Sequence, residues 1–557
     1  MRGLTTLAAF ALALVAAASA TAAADAPAKP GKRAPAGMPS RPDGGAVRSL
    51  AVRSGPVVVA VDGTPAADRV LNRVGAEPLL ERAGLWMLRG PAGSVVAELS
   101  RLGALRSASD ANARLSSSVA RWAGEPLAVQ QWWLSPLAVA GLVPPGPGVP
   151  LTIIDSGLDV SHPDFQGRPN TVLLNAQAGF DNPHGTAVAS VAAAQLNGVG
   201  IAGLYPNALL KVWDNGDRTC AEVVAGFNAV TRAEVNEFGV INLSGGFSSA
   251  AACPALYDAV AFAFGRGFLV VAAAGNDREL GSPATFPAEF PHVITVAASD
   301  AADRVSGFST QSLGVDLAAP GQDMPVAVPT AFDAEHWMLA DGTSFAAPLV
   351  SAAAAWAWTV RGGPRAADHT QMFELLRTGT RDVGAAGWDP DTGFGVLHLP
   401  TLLEAALPAP DNSEPNDDVG QVKARGLFSA AAPPLLKKGA PRASVRAFLD
   451  LTEDPVDVYR VWLPAKRSLV LALNPSSDVD LEVFRTNART VYYTNRGAAL
   501  RGTLFGGSYR SGAAAERYTV RNRGRAGSFV YVVAYKSMQD STGSLDASYT
   551  LAARLTR

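Results

Sequence analysis

Cysteine is nearly absent from this chain: 557 residues hold two, Cys220 and Cys253. That scarcity excludes a disulfide-dense scaffold and a cysteine-rich zinc site, both of which need thiols in close groups. Two cysteines still allow either one bridge or two buried thiols, because sequence does not measure the gap between them. Charge is sparse as well, at 17% of residues. Neither a basic stripe nor a phosphate-cradling loop appears, so no nucleic-acid partner is expected. Beyond the leader, no segment reaches the ~20 uncharged apolar residues of a bilayer span, so no membrane partner is expected either.

What is present points to a large exported protein. The chain is 48% apolar and too long for one ordinary domain, which predicts three folded units with substantial cores. It opens on Met1-Arg2-Gly3 and an apolar run ending in small residues, Ala18-Ser19-Ala20 or Ala22-Ala23-Ala24, the pattern of a secretory signal peptide over residues 1–24. The expected location is therefore extracellular, where a disulfide is permissible. The formal charge of -2 hides a contrast. Residues 1–121 hold 15 Lys and Arg against 8 Asp and Glu, whereas the remainder holds 32 against 41. A basic leader of this kind would be drawn to the acidic body.

Residues 25–47, rich in Pro, Lys, Arg and Gly, read as a linker. Residues 48–110 then alternate strand and helix signals: a strand in SGPVVVAVDG, a helix over 66–84, a strand in LWMLRG and a helix in AGSVVAELSRLG. They predict a small α+β unit. A polar stretch over 107–124 reads as a flexible junction. From 125 to 405 nearly continuous apolar strands alternate with helices, which predicts an α/β domain with a mostly parallel sheet covered on both faces. After DNSEPNDD, residues 411–557 carry short alternating strands typical of an antiparallel β-sandwich. The carboxylates Asp454, Asp457, Asp478 and Asp480 read there as solvated strand ends rather than metal ligands, and no metal site is expected from them.

The chemistry-bearing residues lie in the middle unit. Amide hydrolysis near neutral pH needs a nucleophile, a base, a group to orient the base, and donors for the oxyanion. Asp155 ends the apolar strand of TIIDSG, His184 opens HGTAVASVAAA, and Ser344 sits at the helix start in GTSFAAPLVS. Taken singly, each has a bland reading: a turn cap, a core histidine, a helix cap. Their order Asp, His, Ser separates them from other triad folds, and an esterase of the α/β-hydrolase kind is disfavoured because GTSFA lacks the G-x-S-x-G elbow.

These segments resemble the Asp-Ser/Thr-Gly, His-Gly-Thr and Gly-Thr-Ser-x-Ala signatures of the subtilisin-like serine proteases, and AAAGND resembles their oxyanion-asparagine segment. The resemblance covers about residues 125–400 and implies the family's three-layer α/β fold. It further implies a serine endopeptidase with Asp155, His184 and Ser344 as triad and Asn276 as oxyanion donor. The strips Ser244-Gly245-Gly246 and Ala274-Gly275 would bind substrate. Residues 48–110 are similar in pattern to the family's inhibitor-type prodomain, and SEPNDD resembles the start of a pre-peptidase C-terminal domain. EPLAVQQWWL, from Glu125, resembles a mature N-terminus, which puts maturation between about residues 106 and 125. The implied partners are protein or peptide substrates and the chain's own prodomain, with the mature enzyme a monomer.

Three departures bear on this. Ala187 stands where the family often has a second histidine, and only local repacking is expected. Phe345 replaces a common methionine, removing an oxidisable thioether. Ser244 runs directly into glycines without the usual bulky residue, so subsite shape should differ. No cofactor is implied apart from a structural calcium. QLNGVGIAGL resembles a calcium-binding loop, but an ordinary turn explains it equally well, because Asn197 is its only matching side chain.

Overall fold

The computed structural model describes residues 57–110, except 62–63, 81–84, 89–94, 96–97, 100 and 103–104, together with Trp122 and 124–557. Within the latter, 178–181, 217, 233–237, 334–335, 412, 492–501 and 538–543 are excepted. The signal peptide and linker expected over 1–47 lie outside the described residues.

The first unit is a four-stranded antiparallel sheet, order β2-β3-β1-β4, built from β1 (Val57–Val61), β2 (Glu77–Leu80), β3 (Leu85–Leu88) and β4 (Leu105–Asp110). Its helix α1 spans Pro65–Arg73, capped by the Thr64 hydroxyl, which accepts from the Ala67 amide at 3.2 Å. The helix expected over 66–84 is shorter than the pattern predicts. Gly75, at φ +65°, turns the chain out of the helix, and Pro78 lacks the N–H that continuing it would need. The polar junction also begins later than expected, since Ser107 to Asp110 pair with Val57 to Ala60 in β4.

The central domain holds a nine-stranded sheet, order β14-β15-β11-β10-β9-β8-β5-β7-β6. Its strands are β5 (Leu151–Asp155), β6 (Thr171–Leu173), β7 (Leu210–Asp214), β8 (Gly239–Leu243), β9 (Phe268–Ala273), β10 (Val293–Ser299), β11 (Leu317–Pro320), β14 (Thr380–Arg381) and β15 (Val396–Leu397). All neighbours run parallel except β14 with β15. A separate hairpin, β12 (Met324–Ala327) with β13 (Trp337–Ala340), lies beside it.

Both faces of the sheet are covered, as the unbroken apolar strands require. Side chains alternate across each strand. Leu151, Ile153, Val240, Leu269 and Val271 face one core with α2 (His184–Ala193) and the long α5 (Thr343–Val360). Ile154, Ile241, Val270 and Ala272 face the other, with α3 (Cys220–Thr231) and α4 (Pro254–Gly265). Cys220 and Cys253, whose pairing the sequence left open, form a disulfide with Cα atoms 5.3 Å apart, joining the starts of α3 and α4.

The last unit is a β-sandwich of two antiparallel sheets. One has the order β16-β23-β18-β21, from β16 (Arg442–Asp450), β18 (Ser468–Pro475), β21 (Glu516–Arg521) and β23 (Asp546–Thr556). The other has the order β17-β22-β19-β20, from β17 (Val456–Leu463), β19 (Val479–Phe484), β20 (Leu504–Ser508) and β22 (Ser528–Lys536).

Polar contacts fasten this sandwich to the central domain. His292 Nε2 sits 3.0 Å from Asp417 and 3.3 Å from Glu414, with its ring stacked 4.2 Å from Phe264. On α6 (His369–Thr378), the Arg377 guanidinium reaches Asp316 at 2.9 Å within the central domain and Asp450 at 2.7 Å in the sandwich. The connecting segment is held down too. The Gln371 amide donates to the Pro408 carbonyl at 2.7 Å, and the Asp411 N–H donates to Thr370 Oγ1 at 3.0 Å.

The structure corrects the reading of the tail carboxylates as solvated. Asp457, Asp478 and Asp480 are buried, and Asp454 is half-buried. Asp457 accepts from the Tyr549 hydroxyl, and burial pushes its carboxyl well above the ordinary range. An acid at a strand end reads as solvated in sequence because the chain that covers it lies far away in number.

Candidate active site

The sheet order reverses at β5. From β5 the chain goes first to the edge at β6, returns to β7 beside β5, and then crosses to β8 and runs outward through β9 and β10 to β11. Such a switch point leaves a crevice at the carboxyl ends of the strands. Asp155 is the last residue of β5, Ser244 follows β8, Ala274 to Asn276 follow β9, and the first turns of α2 and α5 bring in His184 and Ser344.

His184 Nδ1 lies 2.8 and 3.0 Å from the two carboxylate oxygens of Asp155, both residues being buried. Burial alone would raise the Asp155 carboxyl. The His184 imidazole, its hydrogen bond and the Arg218 guanidinium outweigh that and hold it below the usual range. Asp155 therefore stays ionised and fixes Nδ1 as the protonated nitrogen, leaving Nε2 to act as a base. The helix must approach the strand end closely, and Gly185 makes that contact, because a Cβ there would come 2.2 Å from the Gly157 carbonyl oxygen. Ser156 Oγ accepts from the Gly185 amide at 2.9 Å and pins the same junction.

Ser344 is partly open to the crevice, while Thr343 and every residue from Phe345 to Trp358 are buried. Pro348 has no N–H, so the Ser344 carbonyl four residues earlier lacks its helical partner. Ser244 Oγ supplies one, donating to that carbonyl at 2.8 Å. Ser244 Oγ accepts in turn from Asn242 Nδ2 at 2.9 Å, and Asn242 Oδ1 accepts from Ser351 Oγ at 3.0 Å. The Ser344 hydroxyl donates to the Ser244 carbonyl at 3.3 Å rather than to His184. The Phe345 ring centre lies 6.0 Å from that of His184, a hydrocarbon neighbour to the imidazole.

Asn276 is oriented by Thr343. Its Oδ1 accepts from the Thr343 amide at 2.9 Å and from Thr343 Oγ1 at 3.0 Å, while that hydroxyl accepts from the Gly275 amide at 3.2 Å. With Oδ1 so engaged, Nδ2 is the end left to donate. Gly275 adopts φ +108°, and a Cβ there would meet Thr285 and Thr310 within 3 Å. Of the expected substrate strip, Gly246 is hemmed by the Phe286 carbonyl, 2.6 Å from a notional Cβ, while a Cβ on Gly245 would meet nothing within 4 Å. Ala187 is fully buried within α2.

Sequence reasoning missed the partners of the 195–204 loop. Two acids join Asn197 there, Glu125 and Asp164, both buried and each with one carboxylate oxygen, Oε2 and Oδ1, lacking a hydrogen-bond partner. Glu125 Oε1 accepts from the Gly198 amide at 3.1 Å, and Asp164 Oδ2 accepts from the Trp337 indole at 2.6 Å. Burial pushes each carboxyl up to about 7, and the charge on Glu125 adds to the rise at Asp164. Two buried carboxylate oxygens without partners, on acids of which one raises the other, are ligands of the kind a hard cation takes, while Asn197 Oδ1 accepts from the Val199 amide at 3.0 Å across the same loop.

The profile of the subtilase family matches residues 146–395. Minor extracellular protease Epr of Bacillus subtilis is 30% identical over 365 residues, covering 63% of this chain and 52% of Epr. Subtilisin of Bacillus pumilus is 34% identical over 223 residues, 38% of this chain and 76% of that protein. The solved structure of fervidolysin from Fervidobacterium pennivorans aligns over 84% of this chain and 85% of its own at 19% identity, with a TM-score of 0.45. The chain belongs to the subtilase family. It spans about half the length of the first curated relatives it matches. Among the described residues, no helix is long and apolar enough to cross a membrane.

Proposed function

We propose that the protein is a secreted serine endopeptidase. The observation that carries this reading is the buried Asp155–His184 pair at 2.8 Å, set at the switch-point crevice with Ser344 and an oriented Asn276 amide. Ser344 Oγ attacks the scissile carbonyl as His184 Nε2 takes its proton. The tetrahedral oxyanion is held by Asn276 Nδ2 and the Ser344 N–H at the start of α5, where the helix dipole also favours negative charge. His184 returns the proton to the leaving amine, and water then repeats the sequence on the acyl-enzyme. Asp155 orients the imidazole throughout and stabilises the imidazolium. The Ser244–Gly246 and Ala274–Gly275 strips flank the crevice as substrate-binding backbone. Residues 1–24 direct export, and 48–110 serve as an intramolecular inhibitor until cleaved.

Asn276→Ala tests the oxyanion role. Its amide is expected to bond the transition state and not the ground state, so kcat should fall by about 10² to 10³ with KM nearly unchanged, the size of loss known for such a donor in a subtilisin. A defect confined to KM would remove Asn276 from that role.

We further propose that Glu125, Asp164 and the Asn197 loop hold a structural calcium ion, which neutralises the two carboxylates. Without the ion their raised folded-state pKa values make stability fall as pH climbs from about 4 through about 7. Added calcium should therefore raise the melting temperature of a Ser344→Ala protein, more at pH 8 than at pH 5. A melting temperature indifferent to calcium and chelator at pH 8 would leave the two acids sharing a proton instead.

A further inference from the structure

Arg218 occupies a position that an arginine rarely takes. Its φ is +58°, in the left-handed region disfavoured for side chains with a Cβ, and such strain tends to persist where the surroundings enforce it at functional sites. The enforcement is visible. β7 runs parallel to β5 with Asp214 opposite Asp155, the Asn215 amide donates to the Asp155 carbonyl at 2.8 Å, and the Arg218 amide closes the turn onto the Asn215 carbonyl at 2.9 Å. The turn that carries Arg218 thus hangs from the backbone of Asp155. Its guanidinium Nη2 lies 3.5 Å from Asp155 Oδ1, the oxygen that His184 Nδ1 meets at 2.8 Å, and the Arg218 side chain is 34% exposed.

We propose that Arg218 is a positioning residue of the triad, sharing Asp155 with His184 so that the imidazolium is disfavoured and the base stays neutral to lower pH. This rests on the endopeptidase reading. Asp155 stabilises the imidazolium by its negative charge, and a fixed cation on the same oxygen offsets part of that charge. Among the described residues the other charges near the pair are few, and Asp181, three residues before His184, lies outside them. Asp214 at the end of β7 accepts from the Gly216 amide at 2.9 Å, and Asp159 after β5 accepts from Ser161. Glu222 of α3 is taken up by the Thr219 cap, with the hydroxyl at 2.8 Å, and Asp217 lies outside the described residues. Of the described charges, the arginine is the cation that reaches the carboxylate. Partial exposure means that salt screens it.

The test is the pH profile of kcat/KM for the mature enzyme and for Arg218→Gln, Arg218→Lys and Arg218→Gly, at low and high salt. In Arg218→Gln the acidic limb should move up by about half to one pH unit, with KM at the plateau unchanged. Arg218→Lys should keep most of the wild-type position, and molar salt should carry the wild-type limb toward that of Arg218→Gln. Arg218→Gly, which suits the left-handed backbone, should show the same shift as glutamine and so separates loss of charge from misfolding. Identical limbs in wild type and Arg218→Gln would overturn the proposal, as would equal shifts in the lysine and glutamine variants or a change in KM alone. A wild-type protein that hydrolyses no peptide would instead refute the endopeptidase reading.

Discussion

Ser344→Ala should abolish peptide hydrolysis, with kcat lower by about 10⁶-fold, the order of loss when a subtilisin loses its nucleophile. The protein should still fold, because the substitution deletes one partly buried hydrogen bond, that to the Ser244 carbonyl at 3.3 Å, and leaves the Ser244 contact to the Ser344 carbonyl in place. His184→Ala should cost about as much, and the double variant scarcely more, since nucleophile and base act as one unit. If the protein matures itself, Ser344→Ala should also accumulate as an uncleaved precursor in a protease-free host, read by intact mass. Residues 48–110 added in trans to mature wild type should inhibit it, less so at high salt to the extent that opposite charges drive docking. Near-normal turnover in purified Ser344→Ala would end the triad assignment. Normal processing without inhibition would reduce the leader to a passive spacer.

The second large effect is on stability. Arg377 is buried against two carboxylates, Asp316 and Asp450, with its guanidinium 4.8 Å over the Phe394 ring. Replacing it by methionine keeps most of the volume but leaves both acids buried without their cation, a change that typically costs about 3–5 kcal/mol. Burial raises both acids; Arg377 overcomes this at Asp450 and holds that carboxyl below the ordinary range, so the stability of that pair is present above the unfolded pKa and lost as pH falls, whereas burial still pushes Asp316 up to about 7. In Arg377→Met that support is gone, and protonation relieves the abandoned acids. The deficit should therefore be largest near pH 7 and shrink toward pH 4. Urea midpoints measured in the Ser344→Ala background check both statements, and a loss under 1 kcal/mol at pH 7 would mean that water reaches the carboxylates.

How much of this was legible in sequence depended on the range of each interaction. Asp155, His184, Ser344 and Asn276 could be read because each sits at the end of a strand or the start of a helix, where local pattern and position coincide. Alternation likewise exposed β17, β18, β19, β22 and β23. It passed over β16, whose charged residues Arg442 and Arg446 face solvent on every second position. The end of α1 was missed because the apolar pattern outlasted Gly75. Glu125 and Asp164 carried no signal in their own neighbourhoods, since their meaning arises from one another and from a loop some 35 residues beyond Asp164. Arg218 was hidden for the same reason: a cation in a polar turn reads as solvated until the parallel pairing of β5 and β7 brings it to Asp155.

The segment between the central domain and the sandwich has a consequence for survival. On the proposed reading as a secreted endopeptidase the protein would be surrounded by copies of itself, and proteolysis concentrates where a chain is exposed and can be lifted into a cleft. Here the stretch from Ala405 to Asp411 carries two prolines and is tied to α6 through Pro408 and Asp411, while His292 and Arg377 grip the sandwich beyond it. A neighbouring copy would have to peel one body from the other before it could cut between them, so the full-length mature form should outlast its own digestion.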